Sequence, residues 1–176
     1  MKRIFGGQLT GMISGMLGAL LLGPSALAGG RPAHPYRYSV VDIPVSLAVG
    51  TVRTPEFSPP THRYWIMVQV EKPLPFPQMQ CMMGVASGPL NLKNCSSDDP
   101  LLRADWTVLE DGQVVTSGSS TTHGDDMYTK DYIFKFLGNF PAIAGKKYVV
   151  EVKFTKDGTP LNVANPHLIV IKQGDQ

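Results

Sequence analysis

Cysteine is scarce in this chain: among 176 residues there are two, Cys81 and Cys95. A structural zinc site needs four ligands at short paired spacings. A thioredoxin-like redox centre needs CxxC. Neither is supported. Blocks of basic residues are missing too, and with them the electrostatic footprint of a nucleic-acid binder. The chain contains no GxSxG, GxGxxG, phosphate-binding loop or HExxH. The acidic stretch SSDDP at 96–100 lacks the spacing of an EF-hand loop, and reads as a turn cap. No pair of carboxylates stands out for glycoside hydrolysis. Internal repeats and low-complexity tracts are absent as well. Together these absences lead to the expectation of a non-enzymatic protein without a cofactor.

What is present begins with the compartment. Lys2 and Arg3 form a basic start, and residues 12–22 (MISGMLGALLL) are uncharged and mostly apolar. Small residues follow at Ala26 and Ala28. This is the three-part pattern of a secretory signal peptide, with cleavage expected after Ala28. The apolar run is shorter than the roughly 20 residues that span a bilayer, and no later run is long enough. The first cysteine is Cys81, so attachment of a lipid at the cleavage site is not expected. The chain carries 16 Lys plus Arg against 14 Asp plus Glu. Lys2 and Arg3 account for the difference, so residues 29–176 are formally neutral. The expected organisation is a signal peptide at 1–28, a flexible mature N-terminus at 29–37 and one domain at 38–176. The expected location is the periplasm or the secreted fraction.

In an oxidising compartment two cysteines most simply pair. The intervening segment has Gly84, Gly88, Pro89 and Asn91, so it can turn. Cys81 and Cys95 are therefore expected to clip a loop or short helical turn to the edge of a sheet. A copper site made from Met82, Met83 and a histidine is the alternative.

Strand signals dominate the remainder. Val41, Ile43, Val45, Leu47 and Val49 alternate, with Pro44 marking an edge strand. In RYWIMVQVEK, Tyr64, Ile66, Val68 and Val70 share one face, and Trp65, Met67, Gln69 and Glu71 the other. The three prolines of TPEFSPPTH make a turn, and PLPFPQ cannot be an inner strand. ADWTVLEDGQVVTSGS reads as a hairpin turning at Asp111–Gly112, with Trp106 and Val108 inward. YIFKFLGNF, KKYVVEVKF and HLIVIK supply further strands, with Tyr148, Val150, Val152 and Phe154 inward. Six to eight strands of this kind predict an all-β, antiparallel, immunoglobulin-like β-sandwich with one disulfide-clipped loop. A small barrel is the alternative.

RYWIMVQV, the CMMG turn, the hairpin, GNFPAIAGKKYVVEVKF and the closing HLIVI together resemble a bacterial family of exported proteins and lipoproteins, a domain of unknown function. The likeness spans roughly residues 38–172. It implies a sandwich and export, and brings no catalytic residues. This chain lacks the lipid-bearing cysteine of the lipoprotein members.

Three kinds of site are expected to compete. Trp65, Met67, Met82 and Met83 are candidates for a protein-contact surface, unless both faces of their strand are covered. Trp65, Tyr64 and Trp106 could stack on a carbohydrate or small ligand. His123, Asp125 and Asp126, in the polar loop TTHGDD, could hold a metal, although a solvated loop has the same composition. His34, His62 and His167 read as a mobile end and two surface or half-buried rings. The leading expectation is a periplasmic protein that binds a protein partner, as an immunity or inhibitor protein or an envelope accessory. Thiol titration of the folded, exported chain should find no free thiol. Cys81→Ser should lower stability by at most about 3 kcal/mol and leave the fold recognisable. A titratable thiol would refute the clip.

Overall fold

The alternation read from the sequence becomes two antiparallel sheets in the computed structural model, which describes residues 39–84, 100–120 and 126–174. Among these residues nine strands form: β1 (Ser39–Pro44), β2 (Gly50–Arg53), β3 (His62–Glu71), β4 (Ala104–Glu110), β5 (Gln113–Ser119), β6 (Met127–Tyr128), β7 (Tyr132–Ala142), β8 (Tyr148–Phe154) and β9 (His167–Lys172). One helix, α1 (Phe76–Met83), follows β3, and a 3-10 helix (Thr159–Ala164) precedes β9. The first sheet runs β1-β9-β3-β7-β6 and the second β2-β8-β4-β5. The expected signal peptide, the segment 29–37 and His34 lie outside the described residues.

The count exceeds the expected six to eight for two local reasons. Pro44 ends β1, so the alternation expected to run on to Val49 stops there, and Val49 is 62% exposed. The chain then starts a separate strand, β2, on the other sheet, where Val52 pairs with Val152. The second addition is β6, two residues long at the edge beside β7.

The inward faces are those the alternation predicts. Tyr64, Ile66, Val68 and Val70 from β3 meet Tyr148, Val150, Val152 and Phe154 from β8, each at most 1% exposed. β3 sits between β7 and β9, and the opposing sheet covers its inner face. The hairpin turns where expected, with Asp111 and Gly112 both at positive φ (47° and 84°).

Trp106 lies against backbone of both sheets. Its strand neighbour is Gly118 on β5, and Gly138 on β7 belongs to the opposite sheet. A Cβ at Gly138 would stand 2.2 Å from the indole, and one at Gly118 2.7 Å from it. Both glycines are therefore sites of close approach, with the ring lying against their backbones. The indole N–H is buried and has no hydrogen-bond partner among the described residues.

The proline-rich stretch after β3 forms α1. Pro75 occupies the N-cap and Pro77 falls in the first turn, where a missing N–H is no loss. Met79 and Met83 enter the core, and Gly84 ends the helix at φ 68°. A Cβ on Gly84 would stand 2.6 Å from Pro100 Cβ. Gly84→Ala should therefore lower stability by about 1–3 kcal/mol, read from urea midpoints. A neutral result would show that this helix end is free to relax.

Candidate functional site

The outward face of the β1–β6 sheet is more apolar than a solvated sheet face. Register explains it. Met67 lies between Ile169 on β9 and Phe136 on β7, and Trp65 has Ile171 beside it. Gln69 lies between His167 and Phe134. Alternating residues of three central strands thus line up into a second apolar cluster of Met67, Phe134, Ile169 and Ile171, each at most 2% exposed. Half-buried Trp65, Phe136, Tyr132 and Met127 rim it. The Trp65 and Phe136 rings meet edge to face, 6.3 Å apart at 88°. Neither described helix supplies the cover over this cluster: Met79, Met83, Leu161 and Ala164 belong to the core between the sheets.

Two polar features border the face. His167, expected at the surface or half-buried, is 6% exposed and its Nδ1 lies 2.6 Å from Asp42 Oδ1. Tyr132 is pushed up from the ordinary phenol range by burial first, then by the carboxylates of Glu71, Asp131 and Asp42. Its hydroxyl stays neutral at physiological pH, so this part of the rim presents no phenolate charge.

The predicted contact residues therefore divide. Trp65 keeps accessible surface on the rim. Met67 is fully buried beneath it, and Met83 is fully buried in the inner core. Met82 packs partly against the inner core, and its carbonyl accepts from the Leu101 N–H at 2.8 Å. The stacking platform is not assembled either: Tyr64 is 1% and Trp106 9% exposed, both pointing between the sheets. Cys81 lies in α1 and is not a free thiol, and Cys95 is outside the described residues. His123 and Asp125 are also outside them. No group of three or more potential metal ligands occurs among the described residues. His62 stands edge-on to Tyr64, with ring centroids 6.3 Å apart.

Asp126 is described, and its carboxylate is already engaged. Oδ2 accepts from Lys135 Nζ at 3.1 Å and Oδ1 from the Phe136 N–H at 3.0 Å. Lys135 Nζ also donates to the Gly84 carbonyl at 2.8 Å, at the end of α1. The side chains of both residues are at most 1% exposed. Lys135 pairs with Val68 on the inward face, so a lysine occupies a core position. The sequence reading missed this pair. Its signal was Lys135 at the inward parity of YIFKFLGNF, where only a partnered charge is tolerated.

A nearby cluster joins the same region. Lys72 Nζ lies 4.9 Å from the Phe76 ring centroid and 5.9 Å from that of Tyr128, and donates to the Thr129 carbonyl. It ties the end of β3 to α1 and β6.

No protein-family model matches the chain, and a search of curated proteins finds no match. The chain is similar in structure to a crystallised protein from Sulfurospirillum deleyianum, with a TM-score of 0.51 and 10% sequence identity. The likeness covers 77% of this chain and 98% of that one. At that identity it shows a shared fold.

Breaking the buried pair leaves an uncompensated charge. Asp126→Ala should cost about 3–5 kcal/mol in urea unfolding. Lys135→Met combined with Asp126→Asn should cost less than Asp126→Ala alone. Equal costs would mean that the pair's charges are solvated rather than mutually held.

Proposed function

We propose that this chain is an exported, non-enzymatic, immunoglobulin-like β-sandwich protein that binds a protein partner in the periplasm. The observation that carries the reading is the aromatic rim at Trp65 and Phe136 over the apolar cluster on the β1–β6 sheet. Trp at the edge of a dry apolar patch is the composition of interface hot spots. Export follows from the basic start, apolar stretch and small residues of 1–28. In that compartment Cys81 and Cys95 close the segment after α1, stabilising the end of the sandwich where Met82 and Met83 pack. Inhibition of an envelope-directed toxin and service in an envelope assembly both fit a neutral binding domain of this size.

The partner would touch the rim, with Met67 and Phe134 beneath as support. A photo-crosslinking side chain at position 65 of the chain expressed in its own cells should give an adduct with one envelope protein. The same group at position 163, which is 73% exposed on the 3-10 helix, should not. Trp65→Ala should lower affinity for that protein by about tenfold or more. No adduct from position 65, or identical adducts from both positions, would contradict the reading.

A further inference from the structure

Each sheet has two edges, and three of the four are guarded. β1 carries a register irregularity at its start and Pro44 at its end. β6 is two residues long. β2 is four residues long and ends in Arg53, which is held to Glu151 at 2.9 Å. Short strands, prolines, bulges and charges are the usual means of blunting an edge. The fourth edge, β5, is seven residues long, QVVTSGS; it bulges at Val114–Val115 but has no proline and no charge, and its Thr116–Ser119 half is unguarded. Among the described residues it pairs with β4 on one side only.

Its side chains are open. Val114 is 64% and Val115 50% exposed, and Ser117 and Ser119 are exposed as well. A register shift at Val108/Leu109 places two β5 residues opposite one on β4, and both valines face solvent there. From Thr116 to Ser119 the strand pairs regularly with β4, so its other side offers a regular ladder.

We propose that β5 is a self-association edge, pairing antiparallel with β5 of a second copy of this chain. The occupant follows from the strand's chemistry. A two-fold axis sets a strand against itself, so any charge would meet its own like near the axis. β5 has none. Its valines, serines and threonine oppose each other without conflict, and residues 29–176 carry no net charge to hold copies apart. Pairing joins two four-stranded sheets into one continuous sheet across the axis. A regular ladder confined to Thr116–Ser119 plus two valines is a small interface, so the dimer is weak and depends on concentration.

Sedimentation of the exported, processed chain over a wide concentration range tests this, with hydrogen exchange on the same samples. A monomer–dimer equilibrium is expected, and the amides of β5 should gain protection as concentration rises. Val115→Lys places two ammonium groups near the axis and should weaken the dimer by about tenfold or more. Ser117→Lys serves the same purpose should Val115→Lys fail to fold. Val163→Lys, on the 3-10 helix, should leave the equilibrium unchanged. A monomer at every concentration overturns the proposal. So does a dimer that Val163→Lys weakens as much as the β5 lysines do, or one whose protection gain lies outside β5. Partner capture at Trp65 has a separate readout, so the two proposals stand or fall independently.

Discussion

Trp106 pressed against two glycine backbones sets how closely the sheets approach. The indole comes from the β2–β5 sheet, and Gly138 receives it from the other. Side chains there would force the ring out or the sheets apart, because cores do not absorb added volume freely. The contact lies on the β5 side of the sandwich, so the edge strand is held by its central neighbour through Trp106 and Gly118. An edge anchored in this way can remain uncharged without fraying. The ring packs against glycine backbones of both sheets, and its indole N–H has no hydrogen-bond partner among the described residues.

Near α1, charge and packing act together. Met79 and Met83 enter the core from the helix, and Lys135 reaches the Gly84 carbonyl at its end. Asp126 balances that lysine and also receives the Phe136 N–H, which fixes the backbone of a rim residue. The buried pair therefore links the helix end to the outward face. Lys135 and Phe136 are neighbours in sequence and point to opposite sides of β7.

Where a strand is governed by its own period, the sequence was sufficient. The inward sets of β3 and β8 and the Asp111–Gly112 turn follow from alternation and turn chemistry alone. The misses occurred where a local signal had two physical meanings. The prolines before α1 were read only as excluding an inner strand, which holds; at a helix start they also suit the first turn. Pro44 does mark an edge strand, as read, but the alternation expected to run on to Val49 ends there and the chain changes sheet. Trp65 and Met67 were placed on the outward face, which is correct. The depth of burial there depends on Phe134, Ile169 and Ile171, and those residues meet Met67 only once β7 and β9 flank β3. Asp126 illustrates the same limit. Beside His123 it resembles a ligand, but its partner is a lysine on a strand that local sequence could not bring to it.

A double-mutant cycle on Trp106 and Gly138 tests the packing constraint most directly. Gly138→Ala should cost about 1–3 kcal/mol in the natural chain. In a Trp106→Leu background, where the ring is gone, the same change should cost less than about 0.5 kcal/mol. If the two costs simply add, Trp106 does not set the spacing of the sheets, and the account of how they are held together is wrong.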